Sequence, residues 1–292
     1  MHNPPPDPSP NQQQPSNYRE EVLTWRSQQD DRLRSPRGWL ALSGHFWLKS
    51  GANTLGTSED CDVVLPKEMG ANCKAVLHVL DSSIQLQADE QAGFQYQGKP
   101  VSSIKLSIDQ TRPESDSPTE LTVDDRFRLQ LVRRNQRLAI RVRDSQNKSI
   151  RDFRGKKWFD LDPKFRVLAN YKPYDPPRSI TIVNVRGDTV PSEIVGQLAF
   201  EIDNQQFTLD ALSESSDSLF ILFKDKTNGQ STYGPGRFID ADQPVDGKVV
   251  LDFNKAYNPP CAFNPNTLCP IPPKQNRLNL EVTAGEKIYA AD

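Results

Sequence analysis

The chain has 292 residues, a formal net charge of −2 and 35% hydrophobic residues. Its length suits two domains of ordinary size, and its slight acidity argues against a general nucleic-acid binder, which needs a basic surface. No apolar stretch approaches the roughly 18 residues that span a bilayer, and residues 1–16 lack the basic start and apolar core of a secretory signal. We therefore expect a cytoplasmic protein with no membrane and no nucleic-acid partner.

Cysteine and histidine are scarce, and their positions limit the chemistry. Four cysteines occur, at positions 61, 73, 261 and 269, and we expect free thiols in a reducing cytosol. The three histidines are His2, His45 and His78, so the C-terminal half has no imidazole for a Ser-His or Cys-His pair or for a typical zinc site. We predict no bound metal and no cofactor.

The first 48 residues are expected to form a tail, a helix and an apolar strap. Residues 1–16 are rich in Pro and Gln and predict a disordered tail. Residues 17–48 begin with Asn17 as a helix N-cap, and apolar side chains follow at helical spacing until Pro36 ends the helix. The dense apolar group from Trp39 to Leu48 predicts a strap that packs this helix against the first sheet.

Residues 49–145 alternate apolar and polar side chains with period two, which predicts antiparallel strands. The clearest pair is a hairpin that turns at Asn135-Gln136, with one apolar and one basic face. The basic face consists of Arg126, Arg128, Arg133, Arg134, Arg137, Arg141 and Arg143. It is either a solvated outer face that guards the sheet or a surface for an acidic protein partner.

The same half resembles a forkhead-associated domain, a β-sandwich that binds phosphothreonine peptides. The matching residues are Asn53-Thr54-Leu55-Gly56, the run from Asp60 to Leu65, and the Gln97-Gly98 turn. That family has an arginine directly after the glycine, where this chain has Thr57, and a Ser-x-x-His segment, where this chain has Ala71-Asn72-Cys73-Lys74. The resemblance therefore implies the sandwich fold with its usual phosphate site lost.

Residues 146–290 predict a second β domain. Phe153, Trp158 and Phe159 are too many aromatics for a loose linker, so we expect the domains to pack together. We predict a well-buried strand at Ile180–Val185, a tight turn at Asp203-Asn204 and a buried central strand at residues 219–223. No amphipathic helix of useful length occurs here. The predicted fold class is all-β: two antiparallel β domains, the second a sandwich or barrel, with a short N-terminal helix.

A loop-rich stretch from Gly234 to Pro273 gathers polar side chains between glycines and prolines, which is typical of a shaped functional loop. Together with flanking segments it resembles domain of unknown function 1684, an uncharacterised family, from about residue 18 to 288. The matching segments are Gly38-Trp39-Leu40-Ala41-Leu42, Phe46-Trp47-Leu48, Asp225 to Thr227, Thr232-Tyr233-Gly234, Gly236-Arg237-Phe238, Asp252-Phe253-Asn254, Ala256 to Phe263, Cys269-Pro270, Pro272-Pro273, Asn276-Arg277-Leu278 and Ala284-Gly285-Glu286. The resemblance implies no activity.

The leading hypothesis is a site for an unknown small polar or anionic molecule in the C-terminal domain, near the domain interface. Arg237 and Arg277 would hold the charge, and Asp252 would brace the arginine. Orientation of the ligand would fall to Tyr233, Asn254, Tyr257 and Asn258. The same residues equally suit a buried network that braces the loops.

Two further hypotheses stay open. One is a hydrolase-like enzyme in which Asp252 or Asp225 is the base and a tyrosine such as Tyr257 the acid. The other is a protein-interaction module that uses the basic face of the first sandwich. For Cys261 and Cys269, half of a thiolate metal site, a redox pair without Cys-x-x-Cys spacing, and small buried residues all remain possible.

Overall fold

A computed structural model describes residues 17–70, 74–80, 83–108, 118–134, 137–215 and 218–289. The predicted tail, the 71–73 segment with Cys73, and the predicted turn at residues 135–136 lie outside these ranges. The described chain is mostly β, with three sheets and an N-terminal helix, which confirms the predicted class. All pairings within the sheets are antiparallel except the short parallel one between residues 55–56 and 63–64.

Helix α1 (Tyr18–Arg34) ends before Pro36, as expected, and packs on the C-terminal half of the chain. The Tyr18 hydroxyl donates to Asp252 Oδ2 at 2.9 Å, and Arg26 donates to the carbonyl of Asn254 at 3.1 Å. The predicted strap contacts this helix, since Leu33 and Leu40 share one apolar cluster, but the helix's buried polar groups find their partners in the C-terminal half. Across the described ranges, no helix has the length and apolar character that a bilayer crossing requires.

The predicted strap consists of a short 3-10 helix and an edge strand of the first sheet. Trp39–Ala41 is the 3-10 turn, and the next residues form β1, which pairs with β11. The strands of this half are β1 (Leu42–Trp47), β2 (Gly51–Gly56), β3 (Val63–Val64), β4 (Ala75–Leu80), β5 (Ser83–Ala88), β6 (Phe94–Tyr96), β7 (Lys99–Pro100), β8 (Ser103–Leu106), β9 (Glu120–Val123), β10 (Phe127–Arg134) and β11 (Arg137–Asp144).

These strands form two sheets that face each other, which we call the N-terminal sandwich. One sheet has the order β1-β11-β10-β9-β6-β7 and the other β3-β2-β4-β5-β8. A single apolar core joins them, since Leu77 and Leu86 of the second sheet cluster with Leu129 and Ile140 of the first. The predicted hairpin is confirmed as β10 and β11, with Leu131 opposite Ile140.

The basic face of this hairpin is partly covered, in contrast to the predicted solvated face. Arg141 and Arg143 are each only 7% exposed, and the Arg141 guanidinium lies 5.0 Å from the Trp39 ring. Cation–aromatic stacking of this kind holds the Trp39 turn against the outer side of the sheet. Arg133 and Arg137 remain exposed, so the use of this face by a protein partner stays a prediction.

The second half begins with a short helix, α2 (Lys148–Asp152), and continues as one large sheet. Its strands are β12 (Arg166–Val183), β13 (Thr189–Ile202), β14 (Gln205–Ser215), β15 (Ser218–Phe223), β16 (Arg237–Asp242) and β17 (Lys248–Asp252), in the order β16-β15-β14-β13-β12-β17. We call this nearly closed sheet the C-terminal barrel. Its closure is completed just after β17, where Tyr257 exchanges two backbone hydrogen bonds of 2.9 Å with Phe238 of β16.

Three strand-level predictions for this half meet different outcomes. The Asp203-Asn204 turn is confirmed, and both residues have positive φ, as a tight hairpin turn requires. The buried central strand is confirmed as β15. The predicted well-buried strand at residues 180–185 is wrong in its burial, because Ile182 is covered whereas Val183 is 43% exposed at the end of the long β12–β13 ribbon.

The two halves pack together, as the aromatic linker predicts. Phe153 is buried with Leu33 and Leu40, and Phe263 from the C-terminal half packs against the same cluster. The Asn264 side chain donates to the carbonyl of Trp39 at 2.9 Å and to that of Leu42 at 2.6 Å. Helix α1, the Trp39 turn and the loop after Tyr257 therefore meet at one junction.

Candidate functional site

Arg237 lies in the interior of the barrel and has protein partners for both terminal nitrogens. Its side chain is 0% exposed, and its Nη2 lies 2.9 Å from Asp225 Oδ2 and 2.9 Å from the carbonyl of Val282. Nη1 donates to the carbonyl of Ala284 at 2.5 Å. This placement contradicts the expectation that Asp252 braces Arg237 to hold a ligand, because Asp225 is the carboxylate partner and the Arg237 side chain is fully buried.

The Asp225 carboxylate stabilises the turn that begins at this residue. Its Oδ1 accepts from the backbone N–H of Thr227 at 2.8 Å, and its own N–H donates to Asn228 Oδ1 at 2.7 Å. With its second oxygen on Arg237, the Asp225 carboxylate is fully engaged. It is therefore in no position to act as a general base, which must reach a substrate proton.

Asp252 and Asn254 lie beneath helix α1. Asp252 accepts from the Tyr18 hydroxyl and, through Oδ1, from the backbone N–H of Asn254 at 3.0 Å. Burial raises the pKa of Asp252, and the hydrogen bond from Tyr18 opposes that shift. The Asn254 amide exchanges hydrogen bonds of 2.9 and 3.0 Å with the backbone of Asp162. These residues brace the loops, and neither lines the cavity described below.

A second buried charge pair lies where the barrel closes. Glu286 is 0% exposed, and its Oε2 lies 3.2 Å from Lys156 Nζ. The same carboxylate accepts from the backbone N–H and the side-chain amide of Asn258, each at 2.9 Å. Burial raises the pKa of Glu286, against the opposing effect of Lys156. The side-chain oxygen of Asn258 is buried without a hydrogen-bond partner in the described chain.

Lys156 and Asn258 of this network also line a cavity of about 240 Å³, which we call the junction cavity. Helix α1, the Trp39 turn and the loop after Tyr257 form its walls. Its lining consists of Gln29, Arg32, Leu33, Arg37, Gly38, Trp39, Lys156, Tyr257, Asn258, Pro260 and Phe263. Among the residues that the structure describes, this lining contains three cations and no carboxylate.

The three cations differ in how far their charge is already balanced. Lys156 is paired with Glu286, and Arg37 forms a two-point contact with Glu120 at 2.8 and 3.0 Å. Arg32 is exposed, and its charge opposes the effect of burial, which raises the pKa of the nearby Asp240 carboxyl. The Tyr257 hydroxyl donates to Asp240 at 3.0 Å, which fixes the ring at the cavity wall. Arg32 is therefore the least tightly paired of the three cations.

The remaining predicted residues lie elsewhere. Arg277 is exposed and does not line the junction cavity. Its neighbours Asn276 and Leu278 form backbone hydrogen bonds with Lys224. Tyr233 is half-buried near Cys261 and Cys269; burial, with a smaller contribution from the two cysteines, raises its pKa to about 12. Of the seven predicted ligand-binding residues, Tyr257 and Asn258 line the junction cavity.

Sequence reasoning missed the cationic and aromatic wall of the cavity. Arg32 is one of several arginines on a helix, and nothing in its spacing sets it apart. Trp39 belongs to the Gly38-Trp39 segment, and Lys156 belongs to the aromatic linker. These two segments pack together, which places Trp39 and Lys156 beside Tyr257. The linker's combination of lysines and aromatics was the available signal.

Fold and site together define a two-part all-β protein with a cation-lined cavity at the junction of its halves. Residues 151–287 match the family model described as protein of unknown function (DUF1684), so the C-terminal half carries this likeness. The likeness predicted from residue 18 onward stays a prediction for the N-terminal half.

Comparison with solved structures gives several matches. One is the solution NMR structure of the uncharacterized protein from gene locus rrnAC0354 of Haloarcula marismortui, which is 38% identical to this chain. The alignment covers 47% of this chain and 78% of that chain, with a TM-score of 0.40. The curated proteins yield no match.

Proposed function

We propose that this protein binds a small carboxylate that carries an apolar group, in the junction cavity. The observation that carries the proposal is the lining of that cavity, which combines cations with no carboxylate. Trp39, Phe263 and Leu33 supply an apolar wall. The volume of about 240 Å³ lies below the roughly 300–1,000 Å³ of sites for drug-sized ligands, so the ligand is small.

Each polar group of the cavity has a distinct role in this proposal. Arg32 pairs with the carboxylate through its planar fork, a geometry that suits two-point binding. Tyr257 and Asn258 shape the opposite wall, where Asp240 and Glu286 hold them in place. Lys156 is covered by Glu286 and adds positive potential rather than a free donor.

The test compares two arginines on the same helix. Arg32→Gln removes the cation from the cavity, and Arg19→Gln removes an exposed cation of α1 outside the lining. Benzoate, phenylacetate, succinate and inorganic phosphate are titrated into the full chain by calorimetry. We expect one of the apolar carboxylates to bind best and Arg32→Gln to weaken it about tenfold or more, because hydrogen bonds to charged groups contribute about 1.5–3 kcal/mol.

Arg19→Gln should leave the affinity unchanged, and both variants should keep the wild-type thermal midpoint. Equal losses in the two variants would show a non-specific charge effect and would contradict the site. Tight binding of phosphate but not of the carboxylates would contradict the proposed ligand class.

For the N-terminal half we propose a forkhead-associated-like sandwich without phosphopeptide binding. Support comes from the two facing sheets with a shared core and from the position of Asn53–Gly56 on β2. Thr57 follows that glycine and offers no cation to a phosphate. A fluorescent phosphothreonine peptide should therefore show no saturable binding to the full chain, and saturable binding would contradict the proposal. A cytoplasmic location stays a prediction.

A further inference from the structure

The loop between Cys261 and Cys269 closes on itself so that the two cysteines lie together. The backbone N–H of Cys261 points at Cys269 Sγ, 3.2 Å away, and the backbone N–H of Cys269 points at Cys261 Sγ, 3.1 Å away. Each sulfur is thus within hydrogen-bond distance of the other residue's backbone. Both are free thiols in this structure.

The surrounding chain holds this arrangement in place. Cys261 lies in the 3-10 turn Pro260–Ala262, which follows Pro259. On the other side, the carbonyl of Cys269 accepts from the N–H of Val185 at 3.0 Å, and Ile271 donates to Val183 at 2.8 Å, so this segment is fixed to the end of β12. A pair held by proline-stiffened backbone on one side and a strand on the other is positioned by the fold rather than by chance.

The two thiols differ in access and in hydrogen bonding. Cys261 is half-buried, whereas Cys269 is 4% exposed. Cys261 Sγ accepts from the N–H of Cys269 at 3.1 Å and lies 3.0 Å from the Thr267 hydroxyl, whose one proton is shared between this sulfur and the carbonyl of Asn264, 2.8 Å away. Donors directed at a sulfur favour its thiolate form. Cys269 Sγ lies deeper, in an apolar cluster with Ile182 and Leu222, where a thiolate is disfavoured.

The electrostatics of the pair follow this asymmetry. Hydrogen bonding from the Cys269 side chain, assisted by Thr267 and by the charge of Arg186, lowers the pKa of Cys261 to about 7. The same contact and burial raise the pKa of Cys269. Tyr233 also interacts with the pair, and its pKa, raised to about 12 mainly by burial, keeps it protonated near neutral pH.

We propose that Cys261 and Cys269 form a thiol–disulfide exchange centre, with Cys261 as the attacking thiolate and Cys269 as the resolving thiol. The co-reactant is a low-molecular-weight disulfide. Cys261 Sγ attacks one sulfur of that disulfide, forms a mixed disulfide and releases the first small thiolate. Cys269 then loses its proton and attacks Cys261 Sγ, which releases the second small thiolate. The protein is oxidised by two electrons to the Cys261–Cys269 disulfide, and the protons from the two cysteines end on two small thiols.

Three features distinguish this centre from a pair of buried structural cysteines. One thiol is partly exposed, its sulfur lies within hydrogen-bond distance of the Cys269 N–H and the Thr267 hydroxyl, and a second thiol lies in contact with it. Reactive cysteines occupy partly exposed sites that stabilise the thiolate, whereas structural ones are inert in apolar surroundings. Seven residues separate Cys261 from Cys269, so the pair is not a Cys-x-x-Cys motif. The fold of the loop nevertheless brings the two cysteines as close together as the short spacing does in such motifs.

The test follows each cysteine of the reduced full chain by alkylation and mass spectrometry. Cys61 is the internal reference, since it is also a half-buried free thiol. We expect the pH midpoint for iodoacetamide labelling of Cys261 to lie near 7, below the roughly 8.5 of an ordinary thiol. Oxidised glutathione should then convert the wild-type protein to a form in which Cys261 and Cys269 are cross-linked and Cys61 is unmodified.

Two variants separate the steps. Cys269→Ser should stop at a stable glutathione mixed disulfide on Cys261, because the resolving thiol is gone. Thr267→Val should shift the labelling midpoint of Cys261 upward, and Thr267→Ser, which keeps the hydroxyl, should restore it. Modification of Cys61 before Cys261 would overturn the proposal. A wild-type protein that retains glutathione on Cys261 with no cross-link would also overturn it.

Discussion

Arg237 and Asp225 form an ion pair in which neither side chain is exposed to solvent, with 2.9 Å between Nη2 and Oδ2. Removing one partner of such a pair leaves a buried charge without compensation. We therefore expect Arg237→Met to lower the free energy of unfolding by about 3–5 kcal/mol. Urea denaturation measures the loss.

Arg277→Met is the control, because Arg277 is exposed and its replacement should change the unfolding free energy by no more than about 0.5 kcal/mol. The double variant Arg237→Met/Asp225→Leu should lose less than Arg237→Met alone, since it leaves no unpaired charge. An unchanged unfolding free energy in Arg237→Met would mean that the pair is dispensable to the fold.

Glu286 makes the stability depend on pH in a predictable direction. Burial raises its pKa in the folded protein, so the folded state holds this proton at pH values where the unfolded chain has released it. The stability that this group contributes is complete below the unfolded pKa of about 4.3 and decreases as pH rises through the folded pKa. Relative to Glu286→Gln, the wild type should lose up to about 1.4 kcal/mol per pH unit in that window.

Chemical denaturation at a series of pH values from 4 upward gives this difference. Glu281→Gln replaces an exposed glutamate five positions earlier and should follow the wild-type curve. A wild-type stability that rises relative to Glu286→Gln across the same window would contradict the raised pKa.

Gly285 allows the chain to approach its neighbours more closely than any other residue would. Its φ is +79°, and a Cβ there would lie 2.6 Å from the carbonyl oxygen of Ala256 and 2.7 Å from that of Phe253. Gly247 also has a positive φ, +71°, but has open space at that position. Gly247→Ala should therefore cost about 1 kcal/mol from backbone strain alone.

Gly285→Ala should cost about 1–3 kcal/mol more than Gly247→Ala, because it adds steric overlap with backbone atoms that cannot rotate away. Thermal unfolding of the two variants measures the difference. Equal losses would show that the close approach at Gly285 relaxes without strain.

Asn276 connects two strands of the barrel through its buried side chain. Its Oδ1 accepts from the N–H of Asp210 at 2.7 Å, and its Nδ2 donates to the carbonyls of Asp210 and Leu222, each at 2.8 Å. Asn276→Ala should lower the unfolding free energy by about 2–4 kcal/mol, because each buried group left without a partner costs about 1–3 kcal/mol. Asn279→Ala, at an exposed position, should cost little, and a similar cost in both would contradict this role.

Local sequence patterns predicted the strands and turns correctly where a short stretch of the chain is enough to determine them. The β10–β11 hairpin alternates apolar and polar residues over most of its length, and the Asp203-Asn204 turn carries residues that tolerate positive φ. Helix α1 was predicted from its apolar spacing, but its packing partner was not. That choice is made by Tyr18 and Arg26, whose polar ends need acceptors more than 200 residues away in sequence.

The candidate site shows the same limit. The sequence left open whether the polar side chains of the loop stretch bind a ligand or brace the loops, and it does not reveal which arginine lies in the interior. Arg237 is buried because β16 directs it into the barrel, where Asp225 and three carbonyls meet it. The cavity itself arises from three segments that are distant in sequence, so no single stretch contains its pattern.

The Asn264 amide that bonds to Trp39 and Leu42 lies within the loop bounded by the two cysteines. Separating the halves of the molecule requires both of these hydrogen bonds to break, and the same loop contributes Phe263 to the cavity wall. Amide hydrogen exchange at the Trp39 turn and at residues 262–268 should accordingly share one opening rate, as expected for parts of a single cooperative unit.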